Sequence, residues 1–398
     1  MLAILSILSM VNQAICYSYA PISSIVEERW EHRLHAESLI TIYFVSYIPT
    51  AFVGSWIMDK KGLAFGVLLG GILQAVGAGL RYFACFLSPA EEVYMTVFGQ
   101  LLASMAMPFM VNSPPLLSAN WFPPSMRATS TSTALNANAL GTAVVYLIAP
   151  LIVRSSKDIP DWNLYIALLS VGSCLVGLIY FRSDPNSSTK CFSAEARTDI
   201  ETKYDWSQWW AVFKHAGFWH TVIAFSWAEC IVNAFSALLD KLLAGTAINS
   251  NQVGVVGAAF IVSSLIGGQG VSVQVDKKRN HKLVTMVCLL LTALSLALFQ
   301  VVPKAEVHAT LVSLLILGAV VGPIQPVVLE LGVECSYPTS EATVAGLQQL
   351  CGNILSAIAV PGLSALQRGN VRDRYFYASP EGIMGLTTLA TFVVFCFL

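Results

Sequence analysis

The sequence is short of charge. Only 11% of its 398 residues are Asp, Glu, Lys or Arg, against 56% that are hydrophobic, and the mean hydropathy is +0.67. A soluble domain of this length needs far more polar surface, so the composition excludes one and places the chain in a lipid bilayer. There is no basic excess either: the net charge of −1 excludes nucleic acid or another acidic polymer as a partner. The nine cysteines contain no CxxC pair, which excludes a disulfide framework and leaves them as small core residues. No HExxH, GxSxG, P-loop or dinucleotide glycine pattern occurs, so no enzymatic activity, cofactor or metal is expected. A positive n-region is missing before MLAILSILSMVNQAIC, and that run is taken as a first spanning helix, not a signal peptide. Both ends fall within apolar runs without polar tails, which raises the expectation of truncation.

What the chain has in abundance is long apolar runs. A spanning helix needs roughly 20 mainly apolar residues. Twelve windows qualify, at about 3–25, 37–58, 63–84, 93–116, 128–153, 163–181, 216–239, 252–274, 282–302, 308–332, 341–366 and 380–398. The polar stretch 182–215 divides them six and six, giving an amino-terminal bundle (1–181), a cytosolic linker (182–215) and a carboxy-terminal bundle (216–398). With the amino terminus in the cytosol, inner links hold twelve Lys and Arg and outer links nine, the sign the positive-inside rule asks for. The sequon Asn186-Ser187-Ser188 then lies on the cytosolic side and stays unused.

GSWIMDKKG (54–62) and VQVDKKRN (273–280) each close an apolar run with D-K-K, 217 positions apart. Each comes after the second helix of its half, so two six-helix units share one plan. Asp59 and Asp276 are expected at the start of the next helix, where backbone N–H groups favour a carboxylate, with the lysines facing headgroups.

Polar side chains in hydrocarbon are costly, so their positions point to function. In the first helix Ser9, Asn12, Cys16, Tyr19 and Ser23 are spaced at steps of 3, 4, 3 and 4, with Tyr17 alongside. The seventh carries Ser226, Glu229, Asn233, Ser236 and Asp240 at the same steps. Two such stripes on equivalent helices predict a shared water-filled path between the halves. Glu229 lies mid-span with no basic side chain within one or two turns of its own helix, which makes it the candidate proton carrier or, alternatively, a neutral hydrogen-bonding carboxyl or substrate contact. Further candidates are Gln100, Ser104 and Asn112, Asn136 and Asn138, Gln325, and Gln348, Gln349 and Asn353; each alone is also explicable as helix-to-helix bonding. GPIQP (322–326) and Met107-Pro108 should break the tenth and fourth helices. GVLLG (66–70) should pack closely against a neighbour, and Arg81 should snorkel to the interface.

The twelve spans with their repeated D-K-K link resemble the major facilitator superfamily. Two stretches carry a narrower likeness: 99–143, with Gln100, Pro108, Asn112, Trp121-Phe122, Arg127, Thr129 and Leu140-Gly141-Thr142-Ala143, and 329–354, with Glu330, Glu334, Tyr337-Pro338, Glu341 and Gly346. They resemble the heme/choline/pyridoxine-type transporters of the feline leukaemia virus subgroup C receptor (FLVCR) family, including its disrupted-in-renal-carcinoma branch. The resemblance implies an all-α fold of two pseudo-symmetric bundles and a secondary transporter working by alternating access. It also implies latches of cytosolic helix ends at Asp59 with Arg127 and, in the second half, at Asp276, Glu330 and Glu334. Choline-handling relatives place a tryptophan in the first helix; here Cys16 stands there, with Tyr17 and Tyr19 close by as substitutes, which weakens a quaternary amine as the substrate. The Ala20-Pro21-Ile22 stretch favours the disrupted-in-renal-carcinoma branch, whose resemblance implies a vitamin-like solute with proton drive.

The expected function is therefore transport of a small polar or cationic organic solute, with substrate contacts from Asn12, Cys16, Tyr17, Tyr19, Gln100, Asn112, Asn233, Gln325 and Gln349, and with Glu229 coupling protons. An uncoupled carrier and a non-transporting receptor are the alternatives. The expected partners are the solute and the bilayer, the protein is expected to be a monomer, and the plasma membrane and a lysosomal or vacuolar membrane stay equally open.

Overall fold

The computed structural model describes residues 1–123, 127–182, 212–215, 217–243, 249–278, 280–301, 307–336, 341–368 and 379–397. The described residues are helical and contain no strand. Among the described residues, eleven segments are long and apolar enough to cross a membrane: spans 1 to 11 are Leu2–Arg29, Ala36–Met58, Leu63–Ala84, Pro89–Val111, Ser130–Ile152, Ser156–Tyr180, Phe218–Leu243, Asn251–Ser272, His281–Val301, Val307–Cys335 and Thr343–Gln367. Pro380–Cys396 is a shorter apolar helix of 17 residues, at the lower limit for a crossing, and forms span 12. The expected sequon and most of the 182–215 stretch lie outside the described residues.

Proline sets the breaks. Span 1 is helical over Leu2–Tyr17, tightens into a 3-10 turn at Ala20–Ile22 around Pro21, and resumes at Ser23–Arg29. Span 4 is interrupted at Ala106, before Pro108, and again at Asn112, before the helix Ser113–Trp121. Span 10 divides into Val307–Val321 and Ile324–Cys335 at Gly322-Pro323. The fourth and tenth helices thus break where their prolines predict.

The D-K-K links fall differently from expectation. Asp59 lies in the last turn of the helix Ala36–Lys61, and the chain turns only at Gly62, whose φ of 89° suits glycine. Asp276 likewise lies inside the helix Ser250–Lys278. Both aspartates end the preceding helix, and neither starts the next. The lysines explain this: Lys60 and Lys61 complement the negative end of the helix dipole, so the helix runs on through them.

Packing repeats between the halves. Spans 1 and 5 pair as 7 and 11 do, 3 and 6 as 9 and 12, and 2 and 4 as 8 and 10. The bundles meet through span 2 against span 11 and span 5 against span 8, a pair of contacts that one two-fold operation exchanges. Ser23 and Asp240, separated by the repeat offset of 217, bond to each other, which places them beside that axis. Spans 3 and 4 approach backbone to backbone, with a Cβ at Gly99 falling 2.6 Å from the Gly77 carbonyl oxygen. Gly66 and Gly70 pack against Met58, Phe109 and Met110, the close packing expected of GVLLG. Tyr94, Phe83, Ile266 and Ile358 stand exposed around the outside, as a lipid-facing surface requires.

Arg81 does not snorkel. It is 1% exposed and turns inward, donating from Nη1 to Ile15 O (3.0 Å) and Gln100 Oε1 (2.8 Å) and from Nη2 to Ser18 Oγ (2.6 Å), with Tyr19's ring 4.2 Å from its charge. The break in span 1 is the reason: the helix Leu2–Tyr17 ends before the span does, and the carbonyl of Ile15 in its last turn takes up the cation.

Candidate functional site

Span 7 is one unbroken helix, Phe218–Leu242, so the 3-and-4 spacing keeps its polar stripe on one face. That face meets spans 1, 5 and 11. Tyr17 Oη donates to Asn233 Oδ1 across the two bundles (3.0 Å), and Asn233 Nδ2 donates to Ser356 Oγ on span 11 (3.0 Å). Tyr146 Oη on span 5 donates to Ser236 O (2.6 Å). One turn from Asn233, Glu229 Oε1 accepts from Gln349 Nε2 (2.5 Å), while Asn353 Nδ2 donates to Gln349 O (2.9 Å). Glu229 is 6% exposed, and its Oε2 has no hydrogen-bond partner among the described residues. Gly352 makes room for it: a Cβ there would overlap the carboxylate. The arrangement holds a carboxylate mid-span among neutral amides, Gln349 bonding one oxygen and Asn233 lying one turn away. Such a group is able to take a proton or to face a cation.

The stripe of span 1 does not share one environment: Ser9, Asn12 and Tyr19 bond within their own bundle, whereas Ser23, beyond the turn at Ala20–Ile22, bonds Asp240 of the other. Ser9 accepts from Asn138 (3.0 Å), Asn12 donates to Ala103 O (3.0 Å), and Tyr19 donates to Asn163 Oδ1 (2.7 Å), all within the amino-terminal bundle. Cys16 is buried beside them. Gln100 is held between Arg81 and Leu39 O (3.2 Å), and Asn112 accepts from Tyr47 Oη (2.9 Å). Gln325 is half-buried at the break of span 10. The structure therefore gathers Tyr17, Glu229, Asn233 and Gln349 at the bundle junction and commits Asn12, Tyr19 and Gln100 to contacts inside one bundle.

A cluster that the sequence pattern does not indicate closes one end, the outer end under the expected orientation. Lys241 Nζ on span 7 lies between Glu27 Oε1 (2.7 Å) and Glu37 Oε2 (2.5 Å) of the other bundle. Glu37 Oε1 accepts from Ser364 Oγ on span 11 (2.5 Å), Asp240 Oδ2 accepts from Ser23 Oγ (2.7 Å), and Gln367 donates to Lys241 O. The bonded pairs are up to 327 positions apart, and no local pattern announces the pairing.

At the opposite end, the side chains of Asp59, Arg127 and Asp276 lie outside the described residues. Glu330 and Glu334 face His281 of span 9, at 3.4 and 3.6 Å, a proximity within one bundle. A cleft of about 440 Å³ opens beside them, lined by His281, Lys282, Met286, Leu331 and Glu334 among others.

Comparison with known proteins gives a consistent picture. The sequence profile of the Major Facilitator Superfamily matches residues 2–360. Solute carrier family 49 member A3 of Xenopus tropicalis is 27% identical over 375 residues, covering 90% of this chain and 75% of that protein. Choline/ethanolamine transporter FLVCR1 of Felis catus is 25% identical over 370 residues, covering 90% of this chain and 65% of its own length. Among solved structures, a D-xylose-proton symporter superposes with a TM-score of 0.74 at 16% identity, covering 98% of this chain and 96% of that one. A partially occluded inward-open structure of the xylose transporter XylE from E. coli gives 0.72 at 13% identity, with the same coverage. At these identities the two structures show the fold alone.

Proposed function

The chain belongs to the Major Facilitator Superfamily and is an integral, multi-pass secondary transporter; from that premise we propose that it carries a small polar or cationic organic solute with a proton, using the Glu229 region as the shared site. The two bundles, divided in the 182–215 stretch, rock about the junction of spans 1, 5, 7 and 11. Tyr17, Asn233 and Gln349 contact the solute, and Glu229 holds the proton. Gating at the other end falls to Asp59, Arg127, Asp276, Glu330 and Glu334.

One observation supports this reading above the rest: a carboxylate buried mid-span at the bundle junction has, among the described residues, an oxygen without a hydrogen-bond partner and only neutral amides against it. Placing a charge there is expensive, so the group is stable when protonated or when a cationic solute sits against it. Choline and ethanolamine, named for the cat relative, are the first cations to try. With Cys16 where an aromatic would hold a quaternary amine, ethanolamine, pyridoxine and heme belong in the same screen.

Thermal stabilisation of the purified chain identifies the solute, since a ligand bound only by the folded state raises apparent stability. Uptake into proteoliposomes then tests coupling. A pH gradient should accelerate uptake by the wild type and leave Glu229→Gln indifferent. Equal, gradient-insensitive rates in both would establish an uncoupled carrier instead.

A further inference from the structure

Glu27, His35 and Glu37 present ligand atoms all within 4.8 Å of one another at the outer end. All three lie on the amino-terminal bundle, at the end of span 1 and the start of span 2. The cation between the carboxylates is Lys241, which lies on the other bundle. Glu27 is further held by Ala36 N (3.1 Å) and by His35 Nδ1 (2.9 Å), contacts internal to its own bundle. Ser364, which bonds Glu37, lies on the other bundle with Lys241. Asp240, the remaining carboxylate nearby, is bonded by Ser23 Oγ and Ser24 N. Glu27 and Glu37 are 7% and 1% exposed while paired.

Alternating access requires the bundles to part here. Lys241 and Ser364 lie on the bundle that moves away, and the two carboxylates with the imidazole remain together on one surface. One imidazole and two carboxylates suit Zn²⁺, which takes nitrogen at about 2.0–2.1 Å and carboxylate oxygen at about 2.0–2.2 Å, and leaves a fourth position for water. His35, with 29% of its side chain exposed, is reachable from outside. We propose that Glu27, His35 and Glu37 form a divalent-metal site that Lys241 fills in the closed state, so that external Zn²⁺ and outer closure exclude each other. Zn²⁺ would thereby hold the carrier open to the outside.

The consequence for transport rests on the alternating-access reading above, but binding is measurable without it. Zn²⁺ binding to the purified full chain, by titration calorimetry near neutral pH, compares the wild type with K241A, K241A/H35Q and K241A/E37Q. K241A should bind one additional Zn²⁺ at least about tenfold tighter than the wild type. Adding H35Q or E37Q should lower that affinity by about tenfold or more. Equal affinity in K241A and the wild type, or affinity indifferent to both further changes, overturns the site. A second measurement keeps native Lys241: Zn²⁺ should lengthen the distance between spin labels at Glu31 and Asn249 in the wild type but not in H35Q. The same lengthening in H35Q also overturns it. A chain that failed every uptake test would still give the binding result.

Discussion

Replacing Lys241 by methionine should open the outer end. The ammonium is the cation shared by Glu27 and Glu37, whose side chains are only 9% and 2% exposed, and it is itself 17% exposed. Removing one partner from a buried ion pair costs about 3–5 kcal/mol, mostly through the uncompensated charge left behind. Two features favour the lower end of that range. Lys241 retains some solvent screening, and Ala36 N and Ser364 Oγ still support the carboxylates. A cost of about 3 kcal/mol, confined to the closed state, lowers the closed-to-open ratio by a factor on the order of 10². Spin labels at Glu31 and Asn249, both exposed and on opposite bundles, read that ratio as a distance distribution. In K241M the distribution should gain a longer component that the wild type lacks. An unchanged distribution in a folded K241M would refute the assignment of Lys241 as the outer latch.

Two substitutions probe the interior. Gly352→Ala sets a methyl group against the Glu229 carboxylate; overpacking of this kind costs about 1–3 kcal/mol and turns the carboxyl away from Gln349. G352A should melt a few degrees lower and lose its response to a pH gradient, and wild-type coupling in G352A would count against the geometry at Glu229. Arg81→Lys keeps the charge but loses the fork that reaches Ile15 O, Gln100 and Ser18 at once. With hydrogen bonds to a charged group worth about 1.5–3 kcal/mol each, R81K should be destabilised by at least one of them, seen as a lower melting temperature. A wild-type melting temperature in R81K would show that the buried guanidinium is not what stabilises the break in span 1.

Much of the fold is legible along the chain because local features carry it. Apolar run length gives the spans, Pro108 and Pro323 give the breaks, and the D-K-K pair gives the duplication. The stripe of span 7 is equally legible, because a straight helix preserves its phase from Ser226 to Asp240. In span 1 the same spacing misleads: Ser9, Asn12 and Tyr19 bond within their own bundle, and Tyr17, off the stripe, is the residue that reaches Asn233.

Composition, run length and the repeated D-K-K link by themselves determined a duplicated, multi-span helical membrane protein, and periodicity placed a carboxylate at mid-span of its seventh helix; that it is a carrier entered through the resemblance. Only the tertiary structure decided what that carboxylate faces, why Arg81 turns inward, and that Lys241 is shared by Glu27 and Glu37. Periodicity records which residues share a face of one helix. The partner of a charge 204 positions away is set by how two bundles dock, and no local repeat encodes that distance.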